Sequence, residues 1–314
     1  MQSFFNILTT LTTRDKFVVA YSGGIDSHAL LHAMHHYFPK KIIAVHVNHQ
    51  LNSLSPQWAL HCEHTCRELH IPCYIEKIDL QLQPGDSVEE KAREARYAIF
   101  QKYMNADTAL LTAHTINDQA ETFLLQALRG AGPAGLSAMP AKKLLGESEH
   151  LRPLLSFSRD TIEKYAAENK LQWIEDDSND NTRFNRNFLR HDIFPVLKKR
   201  FPAVFENFFR STRLIASQQQ LLDQHITKEF DAVKMDVVEK IHLQKLRTLE
   251  NEKQKLVLRA WFRENNLRMP SEKQLQQIQR DVLLAGPDAN PVFCLEKKIL
   301  KRSHDYLYLV SPHD

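Results

Sequence analysis

The sequence predicts an α/β protein: a doubly wound, mostly parallel five-stranded sheet, followed by a smaller, mainly helical C-terminal domain. Three observations predict it. Short apolar runs rich in Val and Ile alternate with helical periodicity from about residue 17 to 170, the pattern of βα units. The first run, Phe17–Ala20, passes through Ser22-Gly23-Gly24 directly into a helical pattern, the kind of junction at which parallel sheets bind ligands. Beyond residue 180 the strand signals stop and helical ones take over.

The elements follow in order. Phe17 to Ala20 carries β-branched Val18 and Val19 and reads as a buried parallel strand. Ala29, Leu30, Ala33 and Met34 then share one helical face. Ile42–Val47 is a second strand, Trp58–Leu69 a helix and Cys73–Ile78 a third strand. Ser87–Met104 is a helix with Val88, Ala92, Ala95, Ile99 and Tyr103 on its apolar stripe. Thr108–Ala113 is the fourth strand. Asp118–Leu128 is a helix, capped by Asn117 and ended by Gly130 and Gly132. Leu151–Leu155 is the fifth strand, and Thr161–Asn169 another helix. We divide the chain into a catalytic domain over 1–213, a helical linker over 214–235 and a recognition domain over 236–314. The last is expected to hold helices near 241–265 and 271–284 and strands at Val292–Leu295 and Tyr306–Val310.

A length of 314 residues suggests about two domains. Only 8 glycines and no low-complexity tract argue against disorder. The N-terminus lacks the basic region and cleavage site of a signal peptide, and no apolar run approaches a bilayer span. A cytoplasmic protein with no membrane partner is expected. Four cysteines make no disulfide framework. Cys62 and Cys66, with His61, His64 and His70 nearby, lack the paired spacing of a tetrahedral metal site. Cys73 and Cys294 read as small buried hydrophobes. Net charge is only +3, so its distribution matters more. Residues 181–213 carry Arg183, Arg186, Arg190, Lys198, Lys199, Arg200, Arg210 and Arg213 against Asp192 and Glu206. This stripe is either a solvated helix face or the footprint of a nucleic-acid backbone.

The chemistry concentrates in Ser22-Gly23-Gly24-Ile25-Asp26-Ser27. Glycines at a strand-to-helix turn permit positive φ and close backbone approach. The exposed N–H groups and helix dipole then suit a phosphate. Asp26 repels phosphate unless a cation lies between, so it reads as a Mg²⁺ ligand. The spacing is neither G-x-x-x-x-G-K-[ST] nor G-x-G-x-x-G. Four further clusters lie where a site belongs. His46-Val47-Asn48-His49 ends the second strand, near where an adenine or ribose rests. Arg93 and Arg96 either face phosphate or pair with acids along their helix. His114, Asp118 and Glu121 surround a helix start and offer a metal ligand and a general base. Asp177-Ser178-Asn179 precedes Arg183, Arg186-Asn187 and Arg190, whose forked guanidinium suits phosphate.

Taken together, these residues resemble the tRNA(Ile)-lysidine synthetase family of the PP-loop ATP pyrophosphatases. Ser22–Ser27 matches its PP-loop, and His46-Val47-Asn48-His49-Gln50-Leu51 its H-x-N-H-x-L stretch. Glu89, Ala92, Arg93, Arg96 and Tyr97 match E-x-x-A-R-x-x-R-Y. Ala113–Thr122 matches A-H-x-x-D-D-Q-x-E-T, except that Asn117 replaces the first Asp, so the catalytic carboxylate is placed at Asp118. Arg129-Gly130-Ala131-Gly132, Arg152-Pro153-Leu154 and the segment from Asp177 to Arg190 also fit. The resemblance implies a Rossmann-like fold, with ATP and Mg²⁺ as cofactors. It implies tRNA(Ile) with a CAU anticodon and free L-lysine as substrates, and a homodimer. ATP would adenylate C2 of the wobble cytidine, and the lysine ε-amine would then expel AMP. In this frame Ser22, Gly23, Gly24, Ile25, Asp26, Ser27, His46, Asn48, Arg93 and Arg96 bind the nucleotide. Asp26 and Asp118 hold the metal. Asp118, His114, Arg190 and Glu121 carry the chemistry, and Arg183, Arg186, Lys198, Lys199 and Arg200 meet RNA. A PP-loop tRNA thiolase, a small-molecule amidotransferase and a non-catalytic nucleotide sensor are the alternatives. The first is opposed by the absence of C-x-x-C.

Overall fold

A computed structural model describes residues 15–50, 52–80, 87–175, 180–286 and 288–312. Leu51, Asp177, Ser178, Asn179 and the N-terminal segment discussed above lie outside these residues. The chain divides into two compact units, Met1–Ala216 and Ser217–Asp314.

The first unit is built on β1 (Lys16–Ala20), β2 (Ile42–Asn48), β3 (Cys73–Lys77), β4 (Thr108–Leu111), β5 (Lys142–Leu145) and β6 (Ser148–Leu151). Their order is β3-β2-β1-β4-β6-β5, parallel except for β5, which runs antiparallel to β6. Val18 pairs in register with Ile43 on one side and Leu110 on the other. Alternation of side chains then places Phe17 and Val19 in one fully buried cluster and Val18 in another. Both faces are thus covered, which explains why these strands read as unbroken apolar runs. Helices α1 (Ile25–Tyr37), α2 (Ser55–Glu68) and α6 (Arg159–Glu168) cover the first face, and α3 (Val88–Lys102) the second. The strand order reverses between β1 and β4, so the switch point lies at their carboxyl ends.

The expected fifth strand is displaced, and the sheet has six strands rather than five. Leu151 ends β6 instead of starting a strand, because Pro153 has no N–H for a ladder. The residues before it form a hairpin: Leu145 pairs with Ser148 around Gly146, whose φ is 62°. Lys142-Lys143 hid this strand, since a charged edge strand lacks the apolar signature. On α3 Ala92 and Ile99 are buried as expected, but Val88 is exposed.

Helix α4 (Ile116–Leu128) and the short α5 (Pro133–Leu136) precede the hairpin. Beyond α6, α7 (Asn185–Phe188) runs through a π-helical turn, Leu189–Ile193, into α8 (Phe194–Arg200). Pro195 removes a backbone donor there, and the helix widens upstream of it. The helix expected over 214–235 is part of a longer one, α9 (Val204–Val233), since no Gly or Pro interrupts that stretch. No helix among the described residues is long and apolar enough to cross a membrane.

The second unit contains β7 (Lys240–His242), α10 (Leu243–Arg247), α11 (Asn251–Glu264), α12 (Glu272–Ile278), β8 (Val292–Cys294), β9 (Ile299–Arg302) and β10 (Tyr306–Val310). The strands form an antiparallel sheet of order β7-β10-β9-β8. Strands β7 and β9 escaped the sequence reading because they are short and half polar. The helix expected near 241–265 is interrupted at Glu250, which takes an extended conformation. Trp261, Phe262, Leu258 and Leu300 are fully buried in this unit's core. Cys294, expected buried, is exposed on the edge strand.

Candidate active site

The turn after β1 is held by its own serines. Ser27 Oγ donates to the Gly24 carbonyl at 2.9 Å and accepts from the Ser22 N–H at 3.2 Å. Its single proton being used, the 3.0 Å contact between the two hydroxyls has Ser22 as donor. Gly24 is the N-cap of α1 and has no side-chain cap. The N–H groups of Ile25, Asp26 and Ser27 therefore open the helix without an intrahelical acceptor, as an anion site requires.

Gly23 has φ of 86°, and the chain packs tightly on it. The Ile174 N–H donates to its carbonyl at 3.0 Å. A Cβ there would lie 2.5 Å from Ile174 Cδ1 and 3.0 Å from Cys62 Sγ. Gly23→Ala is thus expected to weaken ATP binding at least tenfold and to lower Tm. Left-handed backbone costs about 1–2 kcal/mol without glycine, and overpacking adds about 1–3 kcal/mol. An ATP titration and a melting curve that both match wild type would show that the loop accepts a side chain.

A cleft of about 540 Å³ opens over this turn, lined among others by Asp26, Asn117, Asp118, Glu121, Arg159, Ile174 and Arg190. Asn117 is not the N-cap expected of this helix. Thr115 is the N-cap of α4, and the Asp118 carboxylate accepts from the Thr115 N–H at 2.8 Å and its hydroxyl at 3.0 Å. Asn117 instead accepts from the Arg159 N–H at 3.0 Å, tying α4 to α6. Arg190 comes from the π-helical turn. It donates to Asp118 Oδ1 at 3.0 Å and forms a two-pronged pair with Glu121, its Nη2 lying 3.0 Å from Oε2. Glu121 is only 2% exposed, and burial pushes its carboxyl up against the pull of Arg190. Arg186, expected to face RNA, turns inward: its guanidinium is 3.7 Å from Glu121 and donates to Thr122 Oγ1 at 3.3 Å.

Asp26 stands apart from this paired set. Its Oδ1 is buried and has no hydrogen-bond partner among the described residues. Burial first, and the Asp118 charge second, push its carboxyl up to about 6. A half-desolvated carboxylate with a vacant oxygen beside a phosphate cradle fits a divalent cation, as does a second carboxylate nearby. Mg²⁺ is commonly held by one or two carboxylates plus substrate phosphates.

A second cavity, of about 700 Å³, meets the first along Ser22, Asp26, Ser27 and Asp118. Its walls include Val45, Trp58, Tyr97 and Phe100, with His46, Asn48, Arg93, Arg96 and His114 as polar groups. Apolar walls with a few placed polar groups are the form of a small-molecule site. His46 Nδ1 lies 3.0 Å from the Tyr21 carbonyl and therefore donates to it. Burial holds this ring below its ordinary pKa, hence neutral, with Nε2 as an acceptor. Asn48 holds the strand end, donating to the Ser55 carbonyl at 3.2 Å and accepting from the Gln50 N–H at 2.8 Å. Arg96 donates to His49 Nε2 at 3.2 Å, and the Arg93 guanidinium lies 5.1 Å from the Tyr97 ring centre.

Outside the cavities, Arg183, Lys199 and Arg200 are exposed, and Lys198 pairs with Asp160 at 3.3 Å. Sequence reasoning missed Arg159 and Ile174. Arg159 left a signal: it is a cation in the first turn of α6, where the helix dipole disfavours one. Its charge there acts on Asp26.

Family models match this chain over residues 1–197, as a PP-loop domain, and 242–308, as a TilS substrate binding domain. It is 49% identical over 311 residues to the tRNA(Ile)-lysidine synthase of Coxiella burnetii, covering 98% of this chain and 69% of that one. The chain belongs to the tRNA(Ile)-lysidine synthase family. Members from Vibrio cholerae (40% over 302 residues, covering 95% of this chain and 68% of that) and Haemophilus influenzae (39% over 307, covering 96% and 71%) are also similar. A solved structure, the U34-tRNA thiolase NcsA from Methanococcus maripaludis with its 4Fe-4S cluster, superposes with a TM-score of 0.55 at 17% identity. It covers 68% of this chain and 78% of that one. At that identity the likeness is one of fold. A shared fold does not assign a reaction; the residues of the site do.

Proposed function

We propose that this chain uses ATP to adenylate C2 of the wobble cytidine in tRNA(Ile) and then ligates L-lysine there, releasing diphosphate and AMP. The observation that carries the reading is the buried Asp26 Oδ1, without a hydrogen-bond partner among the described residues, at the junction of two cavities beneath open helix N–H groups. One cavity suits the adenosine, with His46, Asn48, Arg93 and Arg96 around base, ribose and phosphate. The N–H groups of residues 25–27 receive the diphosphate. Asp26, with Asp118, would hold Mg²⁺, which when bound neutralises phosphate charge. Arg190 stabilises the charge on the transferring phosphoryl group, and Glu121 orients Arg190. A lysine amine has a pKa near 10.4 and must lose a proton before attack. We assign the role of accepting it to Asp118, which with Asp26 borders both cavities. Arg183, Lys198, Lys199 and Arg200, with residues 236–314, would hold the RNA. Free lysine, the CAU anticodon and a homodimeric assembly belong to the same reading. A thiolase is disfavoured because Cys62 and Cys66 are fully buried, and burial pushes the Cys62 thiol well above its usual pKa.

The test is AMP release with Mg²⁺ and ATP, omitting lysine or a CAU-anticodon tRNA(Ile) transcript in turn. AMP formed only with both present, with lysine label entering the RNA, is the expected result. AMP release that ignores lysine and follows another small substrate would overturn the ligase reading.

A further inference from the structure

Behind His114 runs a hydrogen-bond chain that the proposed reaction does not use. Thr112 Oγ1 lies 2.9 Å from His114 Nδ1 and 2.8 Å from His150 Nε2. His150 Nδ1 lies 3.4 Å from Arg152 Nη2. His150 is fully buried, Arg152 is 4% exposed, and Arg152 Nη1 is anchored by donating to the Pro140 carbonyl at 2.6 Å.

The direction of this chain follows from its far end. A guanidinium has donors and no acceptor, so His150 Nδ1 must present its lone pair to Arg152. Burial, reinforced by the charge of Arg152, lowers His150 to about 2, so the ring is neutral and its proton sits on Nε2. That N–H donates to Thr112 Oγ1. The hydroxyl has one proton left, and the other partner facing it is His114 Nδ1. If His114 also donated, the Thr112 proton would be buried without an acceptor, at a cost of about 1–3 kcal/mol. His114 Nδ1 is therefore the acceptor. Burial above all lowers His114 to about 4, so it too is neutral, with its proton on Nε2. The ring lines the nucleotide cavity, and Nδ1 is already taken.

We propose that Arg152, His150 and Thr112 hold His114 as the Nε2–H tautomer, so that His114 acts as a hydrogen-bond donor to a phosphoryl oxygen of the bound nucleotide and not as the base for lysine. The substrate in this statement rests on the ligase reading; the tautomer does not. Nitrogen NMR of histidine-labelled, full-length protein at pH 7, with His114 assigned by its loss in His114→Gln, reads the tautomer without substrate. A bare Nδ1 and a protonated Nε2 are expected. A protonated Nδ1, or a doubly protonated ring, would overturn the proposal whatever the reaction proves to be. Thr112→Val, which keeps the shape and removes the hydroxyl, is expected to release the bias and give a mixture of tautomers. An unchanged His114 signal in that variant would show that Thr112 does not set it. In turnover, His114→Ala should lose about 100-fold, the scale for removing one preorganised donor. His114→Gln, a donor with no basicity, should stay within about tenfold of wild type. Equal losses in Gln and Ala variants would return His114 to the role of base.

Discussion

Asp26→Asn is expected to abolish AMP release while raising the Tm of the substrate-free protein. The two effects have one cause. The carboxylate is half-buried, its buried Oδ1 has no partner among the described residues, Asp118 adds a like charge, and its pKa is raised from 3.8 to about 6. The sign follows by linkage. A group whose folded pKa lies above its unfolded value contributes stability below the unfolded value and loses it as pH rises through the folded one. Between pH 4 and about 6, the wild-type protein therefore surrenders stability that the Asn variant keeps. At 1.36 kcal/mol per pKa unit, the difference at pH 7 is at most about 3 kcal/mol, or several degrees in Tm. Catalytically, Asn removes the charge that would hold a cation against diphosphate. We expect a loss of at least about 10³-fold. AMP release within tenfold of wild type would remove Asp26 from the reaction. A Tm difference that stays constant from pH 4 to pH 7 would show that the carboxylate is not strained by its surroundings.

Arg190→Ala is expected to lower turnover by about 10³-fold with less than a tenfold change in the KM for ATP. Stability should fall as well. Glu121 is 2% exposed and loses its two-pronged partner, keeping, among the described residues, the ion pair with Arg186 at 3.7 Å. Removing one member of a buried pair costs about 3–5 kcal/mol. The double variant Arg190→Ala/Glu121→Gln separates the roles: it should regain most of the lost stability and none of the turnover. If the double variant recovered activity too, Arg190 would be a structural partner of Glu121 and no more. An equal loss in turnover and ATP affinity would sink its transition-state role.

Much of this site was legible because chemistry forced unusual residues into regular places. Asp26 next to two glycines and two serines at a strand-to-helix turn marks a phosphate site, and Val18-Val19 before it declares a strand. His114 at a strand end and Asp118 one turn into a helix could be placed for the same reason. What stayed hidden was pairing across the chain. Nothing near Arg186 says that it turns toward Glu121, 65 residues away in sequence, rather than toward solvent. Thr115 and Asn117 are both good caps by residue type, and only the fold shows that Asn117 is used by Arg159 and Thr115 caps the helix. Strand β5 was missed for a related reason: its identity comes from pairing with β6 and not from its own composition.

That hairpin also bears on how the polypeptide survives its own synthesis. A parallel sheet ending at β6 would expose a row of unpaired N–H and C=O groups next to apolar residues, a template for sticking to other unfinished chains. Strand β5 occupies that row with two exposed lysines, Lys142 paired with Glu149 and Lys143 over the Tyr97 ring, and a charged edge discourages a further strand from docking. The same few residues carry His150 on the adjoining strand. Solubility during folding and the proposed bias on the His114 imidazole therefore meet in one short segment, and selection on either would be felt by both.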